Sequence, residues 1–165
     1  MRSWSKLAFA ALLALGLATA GRAQEPINPL LPTTGTREIS FSGNLGFEPN
    51  NDFNLNIGYG PFLNPNLQVG GQVSFSDPDG GNSSYGLGAF ANYHFPSAST
   101  LLPYVGVFLG YLDGDGIDGD ASYGVQAGVK YFLNSSVSVF GEFNYRDSDD
   151  GNASGLNFGL NVYLR

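Results

Sequence analysis

Apolar and polar residues alternate along most of the chain from Arg37 to Arg165, so that residues two positions apart share a character. A period of two is typical of β-strands that present one apolar face and one polar face. Eight such runs can be counted, separated by segments rich in Gly, Asn, Asp, Ser and Pro, which favour turns. The pattern predicts an all-β chain of eight antiparallel strands.

The polar faces of these strands carry mainly Gly, Asn, Gln and Ser. In the fourth run Phe90 is an apolar exception on the polar face. In the fifth run Tyr104 and Phe108 lie on one face, and Val105 and Leu109 lie on the other. The few charges on polar faces are Glu38, Lys130, Glu142 and Arg146. A face in contact with solvent normally carries many more charges, so small uncharged residues indicate a narrow, crowded lumen.

Aromatic residues on the apolar faces are sorted to the strand ends. Next to the acidic segments these rings are Phe47, Phe53, Phe75, Tyr85, Tyr111, Tyr123 and Tyr145, and at the opposite end they are Tyr59, Tyr93, Phe95 and Tyr131. Rings prefer the headgroup zone of a bilayer, and membrane barrels carry such bands at both interfaces. A soluble barrel would bury the same apolar faces but has no reason to sort rings in this way.

The runs also have roughly the nine to eleven residues that a tilted strand needs to cross a bilayer. An even number of strands can close without an edge and satisfy every backbone group, which lipid requires. The sequence therefore predicts an eight-stranded antiparallel up-and-down transmembrane β-barrel over residues 37–165.

The N-terminal region has the layout of a secretory signal. Arg2 and Lys6 precede an apolar run too short to span a membrane, and small residues follow, which predicts a signal peptide at residues 1–23. Residues 24–36 contain three prolines and no alternation, so we expect an extended, periplasmic lead-in on the surface. The chain has no cysteine, so disulfides do not stabilise the fold.

The charge of the mature chain excludes one class of partner. Removing residues 1–23 leaves four basic residues against fourteen acids, a net charge of −10. Nucleic acid requires clustered Lys and Arg, so it is not an expected partner. Eleven of the acids lie in four segments, residues 48–52, 77–82, 113–120 and 147–154, at every second connection. With both termini in the periplasm, these acidic loops would be extracellular.

The segments PYVGVFLGY and YGVQAGVKYFLNSSVSVFGEFNYR, followed by a terminal amphipathic strand, are similar to those of a known family. The chain resembles the small eight-stranded outer-membrane barrels that include the OmpA membrane domain and OmpX. The resemblance implies a bacterial outer-membrane location, contact with lipid and lipopolysaccharide, and delivery by the barrel assembly machinery. One departure is the C-terminus, since Tyr163, Leu164 and Arg165 stand where the family usually ends on an aromatic residue. The peptidoglycan-binding domain of some relatives is not expected.

The sixth and seventh strands place three charged residues on the lumen face. If Leu133 pairs with Val137, Gly128 lies opposite Glu142, and Lys130 lies diagonal to it within reach of long side chains. Lys130, Glu142 and Arg146 are therefore predicted to form a lumen ion network. The network would either satisfy charges in a closed lumen or rearrange to gate a small pore, since eight strands leave an interior that side chains nearly fill.

An acidic run and the single histidine are two further candidate sites. The run DGDGIDGD places Asp113, Asp115, Asp118 and Asp120 among glycines, and flexible oxygen ligands suit Ca²⁺, so this segment is a possible calcium loop. It lacks the bidentate Glu of an EF-hand, and a solvated turn is the simpler interpretation.

His94, the single histidine, could serve a lipid-modifying enzyme with Ser84 or Ser74, but no short His-x-Ser spacing occurs.

These observations favour a non-enzymatic, monomeric outer-membrane barrel that contributes to envelope structure or surface interaction. The alternative is a narrow gated pore for ions or small solutes. Adhesion to a protein partner is a third hypothesis, although short loops offer little area for it. Apart from calcium at the acidic segment, no cofactor is expected.

Overall fold

The computed structural model describes residues 28–45, 53–77, 83–114, 117–148 and 151–165, and the side chains of residues 44, 45, 53, 117, 118 and 120 are not among those described. Eight strands account for most of these residues. The strands are β1 (Arg37–Leu45), β2 (Phe53–Asn64), β3 (Leu67–Asp77), β4 (Ser84–His94), β5 (Leu101–Gly114), β6 (Ile117–Asn134), β7 (Val137–Ser148) and β8 (Gly151–Leu164). Over these residues no helix is long and apolar enough to cross a membrane.

Each strand pairs antiparallel with its neighbour in chain order, and β1 pairs with β8, so the sheet closes into an up-and-down barrel. The predicted eight-stranded antiparallel barrel is confirmed. We call the end where the chain enters β1 and leaves β8 the terminal end. The opposite end, which carries the acidic segments, is called the acidic end.

The two faces of the sheet have the polarity expected in a bilayer. Large apolar side chains point outward and are exposed, including Leu87 and Leu156, each 67% exposed. Polar side chains point inward, and Gln68, His94 and Asn161 are fully buried. The outward rings Phe75, Tyr85, Tyr111 and Tyr145 are exposed toward the acidic end, and Tyr59, Phe95 and Tyr131 toward the terminal end. Of the predicted girdle, Phe47 and the Phe53 side chain lie outside the described residues.

Inward aromatic rings lie over glycines of the neighbouring strands. A Cβ added to Gly124 would lie 2.5 Å from the Phe108 ring, and one added to Gly128 would lie 2.8 Å from Tyr104. Phe90 occupies the space above Gly70 in the same way. The inward position of Phe90, an exception to the alternation, is therefore explained by glycines that leave room for its ring.

Residues 28–36 are not the extended surface linker that the prolines predict. Leu31 is 2% exposed and packs with Phe62, Leu102, Phe132 and Tyr163. Gly35 N–H donates to the Phe62 carbonyl at 2.9 Å, and Phe62 N–H donates to the Thr36 carbonyl at 2.8 Å. The prediction of an extended, exposed segment is wrong because Leu31 is buried against an apolar layer, and the chain turns where Leu31 N–H donates to the Asn28 carbonyl and Thr36 N–H to the Thr33 carbonyl. The segment covers the terminal end of the barrel.

Two of the acidic loops are shorter than predicted. β5 and β6 continue as paired strands until only residues 115–116 separate them, and β7 and β8 until only residues 149–150 do. Continued pairing satisfies backbone groups within the hairpin, and an Asp-Gly pair such as residues 115–116 favours a tight two-residue turn. The β6–β7 turn is likewise tight, because a register shift lets Asn134 rather than Leu133 pair with Val137.

Candidate functional site

A buried ion pair crosses the lumen near the terminal end. Lys130 Nζ on β6 lies 2.6 Å from Glu38 Oε2 on β1, and the two side chains are 3% and 5% exposed. The same ammonium donates to Gln68 Oε1 at 3.2 Å. It also lies 5.1 Å from the centre of the Tyr104 ring and 5.6 Å from that of Phe62, within cation–π range. The Lys130 charge is thus fully surrounded by partners.

Glu142 belongs to a different contact from the one predicted. Gly128 does lie opposite Glu142, but among described residues Lys130 pairs with Glu38 and not with Glu142. Glu142 Oε2 instead accepts a hydrogen bond of 2.8 Å from the Tyr104 hydroxyl. The predicted Lys130–Glu142 contact is therefore replaced by two others, one between Lys130 and Glu38 and one between Tyr104 and Glu142.

Arg146 lies apart from both pairs, closer to the acidic end. Its guanidinium is 5.8 Å from the centre of the Phe108 ring, and among described residues it forms no ion pair with Glu142. The three predicted residues Lys130, Glu142 and Arg146 line one cavity without forming one connected network. A strand rises about 3.4 Å per residue. Arg146 lies four residues from Glu142 and therefore about 13 Å along the strand, which is too far for the two side chains to pair.

The terminal end of the lumen is closed by an apolar layer. Phe62, Leu102, Phe132 and Tyr163 are each at most 3% exposed, and the Phe132 and Tyr163 rings stack at 4.9 Å. Above this layer His94 is fully buried between Phe62 and Tyr104, with ring centres 4.9 and 5.4 Å away. A solute entering from the acidic end would meet the Lys130–Glu38 pair and then this layer.

The lumen above the ion pair contains a cavity of about 300 Å³. Its walls carry amides and hydroxyls together with three Phe rings. The polar residues include Ser40, Ser42, Asn56, Gln72, Asn92, Gln126, Asn144, Asn157 and Asn161. Glu38 and Lys130 line the cavity along with Glu142 and Arg146, so equal numbers of acids and bases border it. A polar space of this size can hold ordered water or a small polar group.

The predicted calcium loop lies largely outside the described residues. Asp113 is the next-to-last residue of β5, and its Oδ1 accepts a hydrogen bond of 2.8 Å from Gly114 N–H. Asp115 is not described, and neither are the side chains of Asp118 and Asp120, which belong to β6. In the described part of the chain, no group of three His, Cys, Asp or Glu side chains could hold a metal ion. Calcium binding here stays a prediction.

The enzymatic alternative would require His94 to meet a serine. Neither ring nitrogen of His94 has a hydrogen-bond partner among described residues. Ser84 lies at the other end of β4, where it pairs with Gly114, and Ser74 lines a small space near Ser122. The described residues thus bring no serine hydroxyl to the histidine.

Sequence reasoning missed two contributions to the site. The first is Glu38 as the partner of Lys130, because a contact across the lumen leaves no local pattern. The second is the clamp on residues 28–36. Arg165 donates hydrogen bonds to the carbonyls of Pro29, Leu30 and Leu31, and a further one of 3.0 Å to Ser135. Two adjacent leucines inside a proline-rich segment were the available signal that this segment is buried.

Solved structures share this fold. The N-terminal β-barrel domain of Pseudomonas aeruginosa OprF superposes with a TM-score of 0.64 at 16% identity, covering 81% of this chain and all of that one. Neisserial surface protein A gives 0.56 at 20% identity, covering 77% and 94%. Yersinia pestis Ail gives 0.55 at 13% identity, covering 79% and 99%. Among curated protein sequences no significant match to this chain is found.

The sequence itself assigns the family. The model of the outer membrane protein beta-barrel domain matches residues 7–163, nearly the whole chain. This match agrees with the closed eight-stranded sheet, its exposed apolar exterior and its polar lumen. The chain therefore belongs to the outer membrane protein β-barrel family, and it is a bacterial outer-membrane barrel in contact with membrane lipid.

Proposed function

We propose that the protein is a monomeric, non-enzymatic barrel with a closed lumen that contributes to envelope structure. The observation that carries this proposal is the buried layer of Phe62, Leu102, Phe132 and Tyr163 beneath the Lys130–Glu38 pair, with residues 28–36 covering it. Packed in this way, the residues that the structure describes leave no water-filled path between the two ends. A barrel without such a path supports the membrane without transporting solutes.

Planar-bilayer recording tests the closed lumen. The mature chain, refolded in detergent and inserted into bilayers, is expected to give no steady current, while a porin inserted under the same conditions conducts. In the native organism, deletion of the gene is expected to increase sensitivity to detergents and bulky antibiotics, with rescue by the wild-type gene. Steady conductance by the wild-type barrel, with no envelope defect in the deletion strain, would contradict the proposal.

The narrow gated pore is the second candidate. It is supported by the cavity, which reaches from the acidic end down to Glu38 and Lys130. If the ion pair is a gate, Glu38→Gln should increase channel opening, whereas Glu142→Gln, which removes charge from a residue not paired with Lys130, should change it little. Equal behaviour of the two variants and the wild type would eliminate this candidate.

The proposal places the terminal end in the periplasm and the acidic end at the cell surface. Export delivers the chain to the periplasm, which favours this orientation, and assembly by the barrel assembly machinery is part of the same proposal. Since the chain has no cysteine, single-cysteine variants report orientation directly. An impermeant maleimide should label Ser83→Cys on intact cells and label Ser97→Cys only after the outer membrane is permeabilised. The reverse labelling pattern would show that the barrel is inserted in the opposite orientation.

A further inference from the structure

Arg146 is a lumen base that no described acid neutralises. It has no ion pair and no hydrogen bond with any other described residue. The charges deeper in the lumen have partners of their own. Lys130 is paired with Glu38, and Glu142 accepts hydrogen bonds from neutral donors, of which the Tyr104 hydroxyl is one. Arg146 is thus the charge in the lumen that is left to bind something else.

Three acids at the acidic end have described side chains, and all three face outward. Asp147 follows Arg146 directly on β7, so it points to the opposite face of the sheet. There its Oδ2 accepts a hydrogen bond of 2.6 Å from the Tyr123 hydroxyl. Asp77 and Asp113 each lie two residues after an outward ring of the same strand. Arg146 therefore keeps its positive charge inside the mouth of the barrel, where its side chain is exposed.

Beside Arg146 the inner wall of the barrel has a recess formed by glycines. Gly88 of β4 pairs with Gly110 of β5, so two neighbouring strands lack an inward side chain at the same level. A Cβ on Gly110 would lie 3.2 Å from Ser122 Oγ, and one on Gly88 would lie 3.2 Å from Gln72 Cγ. A hydroxyl and an amide thus stand on either side of the recess. Alternation alone would fill this space with side chains.

The recess has the size and the donors for one anionic oxygen atom. Its volume is about 20 Å³, which is room for one water-sized group. Ser74, Ser122, Gln72 and Arg146 border it, and no described Asp or Glu does. A guanidinium can only donate, whereas hydroxyls and amides can donate or accept. The group that satisfies this set of side chains is an acceptor with a negative charge.

The recess adjoins the larger lumen cavity at Arg146. Gln72, Phe108 and Arg146 border both spaces. The Arg146 guanidinium lies over the Phe108 ring at 5.8 Å, a contact that leaves its N–H groups free for the paired hydrogen bonds that arginine forms with carboxylates. The cavity, of about 300 Å³, also presents the rings of Phe90 and Phe140. An anion held by Arg146 can therefore have an uncharged, partly apolar body.

We propose that Arg146 and the glycine recess bind the carboxylate of a small organic acid that enters from the acidic end. The guanidinium donates to both carboxylate oxygens. One oxygen occupies the recess, where Ser74, Ser122 and Gln72 donate to it. The uncharged body of the acid lies in the cavity against the Phe140 ring. A carboxylate suits this site better than a phosphate, because a single base faces it and the recess holds one oxygen.

The test uses the folded barrel in phosphatidylcholine nanodiscs, with benzoate as the probe. We expect saturable NMR shifts of the Arg146 side-chain N–H groups and of the Gln72 side-chain amide. Benzamide has the same shape without the charge and should bind at least about tenfold more weakly. Absence of saturable benzoate binding, or equal binding of benzoate and benzamide, overturns the proposal.

Charge variants test the role of Arg146. Arg146→Met should weaken benzoate binding at least about tenfold. Arg146→Lys keeps the charge but loses the paired donors, so its affinity should lie between those of Arg146→Met and the wild type. Arg37→Met removes an exposed base at the terminal end and should leave binding unchanged. Migration on unboiled SDS gels shows that each variant is folded. Wild-type affinity in Arg146→Met, or equal losses in Arg146→Met and Arg37→Met, overturns the assignment.

A glycine variant tests the recess without changing any charge. The nearest backbone atom to a Cβ on Gly110 would be the Leu87 carbonyl oxygen at 3.6 Å, so Gly110→Ala places a methyl group in the recess without overlapping the backbone. It should weaken benzoate binding about tenfold. Gly71→Ala is the matched control, since Gly71 is exposed on the outer face and its Cβ would be 3.4 Å from its nearest neighbour. Equal benzoate affinity in both variants overturns the placement of the carboxylate in the recess.

Discussion

Glu38 and Lys130 are 92 residues apart in the chain, and 2.6 Å separates their charged atoms across the lumen. The pair links the first strand to the sixth, on the far wall of the barrel. Because both side chains are buried, each charge depends on the other for compensation. The ion pair is thus a constraint on the closed barrel, not a surface contact.

Removing one partner of this pair should be far more harmful than removing both. Lys130→Met leaves the Glu38 carboxylate buried without its counter-ion and should cost about 3–5 kcal/mol of unfolding free energy. The double variant Glu38→Leu with Lys130→Met should recover most of that loss, because no unpaired charge remains. Urea unfolding in lipid vesicles, followed by far-UV circular dichroism, measures both. If the double variant loses as much free energy of unfolding as Glu38→Leu and Lys130→Met together, the two residues are not coupled.

The glycine under Phe108 should be intolerant of any side chain. A Cβ on Gly124 would overlap the carbonyl oxygen of Tyr145 and crowd the Phe108 ring. Overpacking of this kind costs about 1–3 kcal/mol or more, so Gly124→Ala should lower the folded fraction on unboiled SDS gels. Gly155→Ala is the control, since its nearest neighbour would be 3.7 Å away. Equal folding of the two variants would show that the ring and strand can shift.

The sequence predicts the strands and faces of this barrel well because alternation is a local signal. Tyr104 and Phe108 lie inward, as the pattern of the fifth run indicates, and are 3% and 6% exposed. The partner of Lys130 was not predictable, because several inward side chains reach the same depth and only the closed sheet selects Glu38. The β1–β8 pairing that closes the sheet is likewise a property of the whole chain, to which no single stretch of residues corresponds.

Arg165 should hold residues 28–36 in the mouth of the barrel. Its guanidinium donates to three carbonyls of that segment and to Ser135 in the β6–β7 turn. Hydrogen bonds from a charged donor are worth about 1.5 kcal/mol or more, so Arg165→Ala should increase local opening about tenfold. Proteolysis of the folded barrel, with cleavage near Leu30 and Leu31 as the readout, measures this opening.

The control for that experiment is Arg37→Ala. Arg37 is also exposed and also lies at the terminal end, but its side chain makes no hydrogen bond among described residues. Its replacement should leave the cleavage rate unchanged. Faster cleavage in both variants would mean that loss of positive charge, and not loss of the clamp, loosens the segment.

His94 is a buried polar residue whose replacement should stabilise the barrel. Its imidazole has no solvent exposure, and neither ring nitrogen has a partner among described residues, while Phe62 and Tyr104 pack against the ring. A buried polar atom without a hydrogen bond costs about 1–3 kcal/mol. His94→Leu keeps the apolar contacts and removes the unsatisfied atoms, so we expect a gain of about 1–2 kcal/mol in urea unfolding. His94→Gln, which keeps a polar group in the same place, should give no such gain. Since the backbone of His94 retains its hydrogen bonds with Asn66 in both variants, a loss of stability in His94→Leu alone would mean that the imidazole is hydrogen-bonded in the membrane, to water or to a bound group.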